Sequence, residues 1–292
     1  MNTVSIGLVV SSAVIHALRN FLTKISEDKQ VFIWCYEVCA VIFYLPLFLY
    51  FLSTYGIQNP MAFSFGVAAG LAHAVYWIFL SRAYEEGDIS HVYPIMRSDP
   101  ALVLVFSLIF LKEQVSLPGL TGIILVVAGV YIITMKELTA KELLAPFQSL
   151  ANNRATQFAF LTLFSVAAYS LIDKIGVSYV HPLIFAYLFT VCALFFFTPY
   201  IFLTKGRALI RNEWKINKRP IIVNGFMGIF GYALILVAFT LERVSYVVGL
   251  RQLSIVFTVL LGGHVLREKH RAIRYSAAVI IFFGALLIST AK

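Results

Sequence analysis

Ten apolar runs, each close to twenty residues long and each bounded by charges, Pro, Gly or Asn, follow one another from end to end of this sequence. A helix of about 20 apolar residues spans the hydrocarbon layer of a bilayer. Lipid offers the backbone no hydrogen-bond partner, so a spanning segment must satisfy its polar groups internally. The runs lie near 4–24, 31–52, 62–83, 90–111 and 116–135, then near 156–174, 181–204, 220–241, 244–266 and 272–290. They predict an all-α integral membrane protein of ten transmembrane helices. Composition agrees: of 292 residues 60% are hydrophobic and 13% charged, where soluble domains carry about a quarter of charged residues. No room remains for a sizeable soluble domain.

The two sets of five runs align with each other. Leu111-Lys112-Glu113 matches Leu266-Arg267-Glu268 at a shift of 155, which also carries Gly129 onto Gly284, Ser90 onto Ser245 and Gly70 onto Gly225. Earlier in the halves Lys24 matches Lys174 at a shift of 150, while Cys39 and Pro46 match Cys192 and Pro199 at 153. Ordered matches of this kind are the mark of an internal repeat. An odd number of spans per half makes the second half enter the membrane in the opposite sense, which predicts an inverted repeat. The expected division is a five-helix repeat over 1–137, a connector over 138–155 and a second five-helix repeat over 156–292.

The net charge of +9 does not form a nucleic-acid-binding face, because the basic residues sit in short connectors between the runs. Lys and Arg concentrate on the cytoplasmic side of membrane proteins. Sixteen of them follow the odd-numbered spans and four lie on the opposite face, so charge puts the odd loops in the cytoplasm and both termini outside. The first run has no preceding basic residues and no small-residue cleavage site, and is expected to be retained as a span. Cys35, Cys39 and Cys192 all fall within apolar runs and show no ligand spacing, so they read as packing residues.

A charge at membrane depth costs at least a few kcal/mol and needs a partner, a wet cavity or a path to the interface. On the first span Ser5, Ser12, His16, Arg19, Asn20 and Thr23 share one helical face. Glu37, beside Tyr36 in the second span, is suited either to neutralise a cationic group or bind a proton, or to pair with Arg19. The third span groups Gly66, Ala69, Gly70, His73, Tyr76, Trp77 and Tyr84 on one face, with Tyr76 and Trp77 able to contact an amine through their ring faces. In the fourth, Ser90, Tyr93 and Arg97 stand with Asp99 between Pro94 and Pro100. Proline removes a backbone donor and crowds the carbonyl four residues earlier, which loosens a helix. Arg251 lies at nearly the same depth in the ninth span, with Ser254 and Thr258 on its face, although the shift of 155 pairs Arg97 with Gln252. Two deep guanidiniums are the strongest anion-binding candidates. Asp173 and Lys174 are expected to pair or to reach the interface, and Tyr169, Tyr232 and Tyr246 are further polar-tipped aromatics.

These features resemble the drug/metabolite transporter superfamily, in the branch whose repeat is called EamA. The resemblance lies in Leu111-Lys112-Glu113, Gly119, Gly122 and Gly129-Val130-Tyr131, and in Leu266-Arg267-Glu268 with Gly284. The family's first span carries Trp-Gly and then Lys. Here His16-Ala17 with Lys24, and Val166-Ala167 with Lys174, stand in its place. The stretch from His16 to Ser26 is similar to a subset of the branch, part of it associated with phosphonate metabolism. The resemblance implies a central cavity between spans 1, 3, 4, 6, 8 and 9 working by alternating access, and termini in the cytoplasm, opposite to the charge count.

The expected function is secondary transport of a small amphoteric or anionic metabolite, such as an amino acid or aminophosphonate, across a bacterial inner (plasma) membrane. Arg97, Arg251, His16, Arg19, Asn20, Glu37, His73, Tyr76, Trp77 and Tyr93 are the candidate binding residues. A flippase of a lipid or lipid-linked head group is the alternative. No GxxxxGK[ST] loop is present, so energy would come from a proton, ion or substrate gradient. The residues supply no nucleophile–base pair and no metal-ligand set, so neither enzymatic activity nor a cofactor is expected.

Overall fold

The computed structural model describes residues 1–24, 26–87, 89–133, 135, 139, 144, 148–257, 259 and 271–291. Thr258, Leu266-Arg267-Glu268 and residues 138, 140–143 and 145–147 of the connector lie outside the described residues. All regular structure among the described residues is helical. In chain order the helices are α1 (Thr3–Lys24), α2 (Lys29–Tyr55), α3 (Met61–Glu86), α4 (Ile89–Met96), α5 (Asp99–Phe106), α6 (Leu117–Ile132), α7 (Arg154–Gly176), α8 (Pro182–Thr204), α9 (Arg207–Leu241), α10 (Val244–Arg251) and α11 (Arg271–Thr290). Among the described residues eight helical segments are long and apolar enough to cross a membrane, one of them, His91–Leu111, running through α4 and α5; the apolar segments Leu117–Ile132 and Val244–Phe257 are shorter. Large side chains such as Ile42, Tyr50, Phe110, Phe195, Leu203 and Phe226 point outward, as a lipid-facing surface requires.

Local chemistry explains where helices begin. Asp28 caps α2 by accepting from the Gln30 and Val31 amides at 3.0 Å, and Asn153 caps α7 by accepting from the Thr156 amide at 3.0 Å. The first turns of α6 and α8 hold Pro118 and Pro182, whose missing amides would have no partner there. The cap of α10 comes from far away in sequence: the Glu113 carboxylate accepts from the Val244 amide at 2.6 Å and the Ser245 hydroxyl at 2.7 Å.

Three segments depart from the sequence expectation. The fourth run is not one helix: α4 stops at Met96, α5 starts at Asp99, and Ser107–Leu111 continues as a π-helical turn. Pro100 supplies the reason, since its ring crowds the carbonyl of Met96, the residue at which α4 ends. In the ninth run α10 ends at Arg251, and after a turn at Gln252 the helix resumes over 253–257. The connector expected between Lys205 and Arg219 is helical from Arg207, and α9 runs on into the membrane through a kink at Asn217 (φ −109°, ψ 22°).

Helices pack closely where side chains are small. α3 packs against α7 and α8, α9 against α1 and α2, and α6 against α11. A Cβ added to Gly70 on α3 would stand 2.4 Å from the Cys192 Cβ on α8, and one added to Gly225 on α9 would stand 2.8 Å from the Cys39 Cβ on α2. Gly122 and Gly284 meet in the same way between α6 and α11, where an added Cβ would lie 2.7 Å from the other glycine's carbonyl oxygen.

Candidate functional site

The polar faces of α1 and α3 turn inward onto a central cavity of ≈ 140 Å³, closed on its other sides by α2, α7, α8, α9, the α4–α5 break and the end of α10. Arg97, Arg251, His16, Arg19, Asn20, Glu37, His73, Tyr76 and Trp77 line it. Tyr93 does not. It stands one turn before Arg97, with the guanidinium carbon 5.4 Å from its ring centroid, and acts on the cavity through that arginine.

The arginines differ in their partners. Arg19 lies 3.6 Å from Glu37, donates to Asn224 Oδ1 at 3.4 Å and packs over the Tyr36 ring at 5.0 Å. Arg251 lies 3.4 Å from Asp99 Oδ2, and Gln252 Nε2 donates to the other oxygen of Asp99 at 2.9 Å. Asp99, at the first turn of α5, therefore ties the break in the fourth run to the break in the ninth. Arg97 is different. Its Nη2 donates to His16 Nε2 at 3.1 Å, which assigns the imidazole proton to Nδ1, and among the described residues no carboxylate lies within ion-pair distance of it. Arg97 is thus a half-buried cation facing a cavity and held by a neutral acceptor and a ring face.

A second cluster adjoins the arginines. His73 Nε2 lies 3.1 Å from Asp173 Oδ2, and the Tyr232 hydroxyl donates to the same oxygen at 2.5 Å. The imidazole is stacked between Tyr169 (4.1 Å, 21°) and Phe189 (4.4 Å, 12°). The expected pairing of Asp173 with Lys174 is therefore not what forms. Successive residues on a helix point about 100° apart, and Lys174 turns away to donate to the carbonyls of Phe239 and Glu242. Tyr169 and Tyr232 line the cavity, and Asp173 and Asn224 stand behind it. Asp173, Tyr169 and Tyr232 stand out in the sequence as polar groups inside apolar runs but not as site residues, and Asn224 does not stand out at all.

Comparison with known proteins comes to the same region. The model of the EamA-like transporter family matches residues 3–135 and again residues 153–290. The chain belongs to that family. Its first matched segment holds α1 to α6 and its second α7 to α11, so the cavity of this EamA-like chain is lined by residues of both. An uncharacterized protein of Methanocaldococcus jannaschii is 26% identical over 132 residues, which are 44% of this chain and 94% of that protein. A solved crystal structure, 14% identical, superposes over 98% of this chain and 97% of its own with a TM-score of 0.70, a likeness of fold.

Family membership makes the chain a multi-pass integral membrane protein of the drug/metabolite transporter type. The cavity of this family member reaches Thr23, Ile33 and Leu80, near the face where α1 and α3 end. The opposite face is cross-linked by hydrogen bonds. There the N-terminal ammonium donates to the carbonyls of Ser289 and Ala291, the Asn2 amide to Glu242, and Lys174 and Glu113 join α7, α9 and α10. Among the described residues no group of three or more His, Cys, Asp and Glu is arranged to hold a metal ion.

Proposed function

We propose that this chain is a secondary transporter that carries a small anionic or amphoteric metabolite, of the amino-acid or aminophosphonate kind, by alternating access. The observation that carries the reading is Arg97. A guanidinium without a carboxylate partner, facing a cavity, is stabilised by an anion that enters it, and its planar fork suits a carboxylate or phosphonate. Arg251 stands on the same cavity, its Nε without a hydrogen-bond partner among the described residues. Glu37 and the ring faces of Tyr76 and Trp77 complete a lining suited to an ammonium group on the same molecule.

The architecture that goes with this function is ten spans in two inverted five-helix halves, over 1–137 and 156–292, joined by 138–155. Exchanged packing supports it. Gly70 against Cys192 and Gly225 against Cys39 are one contact written twice, because the shifts that pair Gly70 with Gly225 and Cys39 with Cys192 interchange its two sides. The interrupted helices support it too, since Arg97 and Gln252, which correspond in the repeat, both sit at a break. Interrupted helices near a central site are a recurring device of transporters. The archaeal relative, a separate chain matching less than half of this one, fits a unit that can stand alone. The tied face of Glu113, Lys174 and the N-terminus fits one end-state of an alternating-access cycle.

The test is a thermal-shift screen of the purified full chain against amino acids, aminophosphonates, sugars and nucleotides. An anionic or amphoteric compound is expected to raise Tm, and Arg97→Ala to abolish the rise while the protein stays monodisperse. Unchanged stabilisation in Arg97→Ala defeats the assignment. Stabilisation by a head group only when it carries acyl chains favours the flippase.

A further inference from the structure

We propose that His73, Asp173 and Tyr232 form the binding site of a coupling proton, placed beside the anion site and joined to it through Tyr169 and Arg251. Asp173 is completely buried on α7, with Oδ2 taken by His73 and Tyr232 and Oδ1 without any partner among the described residues. Its neighbour Lys174 is engaged elsewhere. With a neutral His73 the cluster holds a buried carboxylate that no cation pairs. With a protonated His73 it holds a neutral pair. Low dielectric penalises the first form more than the second.

The imidazole is built to carry that charge. Its two faces are covered by Tyr169 and Phe189, whose π-systems attract a cation, and Tyr232 meets it edge-on at 5.4 Å. His73 and Tyr232 reach the cavity while Asp173 does not, so the proton passes from cavity water to the imidazole and back, and nothing else is transferred. Every element around the cluster contributes an identifiable group. α3 brings Tyr76, α7 Tyr169, α9 Tyr232 and α10 Arg251. α8 brings Phe189 and Thr190, whose hydroxyl is turned to Ala186 on its own helix.

Arg251 is the only permanent cation in that group, and Tyr169 lies between it and His73. An anion bound at Arg251, which Asp99 already pairs, adds negative charge beside the cluster and makes the imidazolium easier to form. By reciprocity the proton then strengthens anion binding, so the two are carried together. That the proton is coupled rests on the transport reading; that it binds here does not.

Trp77 makes the protonation measurable. It lies one turn from His73 with ring centroids 6.5 Å apart, and an imidazolium quenches indole emission far more than a neutral imidazole. The chain has three tryptophans, so Trp34→Phe with Trp214→Phe leaves Trp77 as the sole reporter in the full-length protein. Titrated in detergent from about pH 5 to about pH 9, a range that brackets ordinary histidine, Trp77 emission is expected to show one transition. His73→Gln should remove it, and Asp173→Asn should move its midpoint down by about one pH unit or more, as loss of a paired carboxylate requires. Arg251→Gln should move it up. A transition that survives His73→Gln, or an Asp173→Asn midpoint that does not move, overturns the proposal. Should Asp173→Asn not yield monodisperse protein, Tyr232→Phe carries the test: without its donor the carboxylate's charge is shared with the imidazolium alone and the midpoint must rise, and an unmoved midpoint is fatal. The expected titration without any compound raising Tm would leave the proton site standing and fail the substrate reading alone.

Discussion

Asp99 has an influence out of proportion to its size. It is buried, receives Arg251 and Gln252 on separate oxygens, and sits at the first turn of α5, where the helix dipole favours an anion. Removing one partner of a buried charge pair typically costs about 3 kcal/mol or more. Asp99→Ala is therefore expected to lower Tm by several degrees in detergent, whereas Arg82→Gln, whose ion pair with Glu86 is long at 3.9 Å and partly exposed, should stay close to wild type. Equal losses in the two variants would remove Asp99 from its central place. Its neighbour Arg97 obeys the opposite logic, held by a neutral imidazole and a ring so that its charge stays available to the cavity.

The helices of this protein depend on their crossings as much as on their own apolarity. An apolar face gains little from packing against another helix where the alternative is lipid, so contact must come from close approach at small residues. Gly70 and Gly225 provide it at the α3–α8 and α9–α2 crossings. Leu introduced at either position would collide with the facing helix. Gly70→Leu and Gly225→Leu are each expected to lower Tm and broaden the size-exclusion profile, while Gly7→Leu, where the space is open, should do neither. The breaks in the fourth and ninth runs matter for another reason. They stop two helices at the cavity, where charges gather.

The molecule as a whole is held by contacts between its two halves. The α3–α7, α2–α9 and α6–α11 pairs all join residues before the 138–155 segment to residues after it. Chains cut within that segment and co-expressed should therefore reassemble, with a tag on the first half recovering the second in equal amount. Recovery of the tagged half alone would mean that the connector, and not the packing, holds the halves together. The cavity is shared across the same divide, since Arg97 and His73 come from one side and Arg251, Tyr169 and Tyr232 from the other. Neither half carries the site by itself.

Membrane residence, eight of the ten apolar spans among the described residues and the cavity-facing position of nine of the ten candidate residues were readable before any fold was known, because lipid forces polar groups onto inward faces and helical spacing reveals those faces. Pro100 announced the α4–α5 break by the same local chemistry. The break at Gln252 has no proline to mark it, and its side chain is tied to Asp99 across the molecule. Tertiary structure alone decided which partner each charge takes. Asp173 passes over adjacent Lys174 for His73, a hundred residues away, and among the described residues Arg97 is left with no carboxylate while Arg251 acquires one. Spacing along one helix states which way a side chain points. Only the packing of several helices states what it meets there.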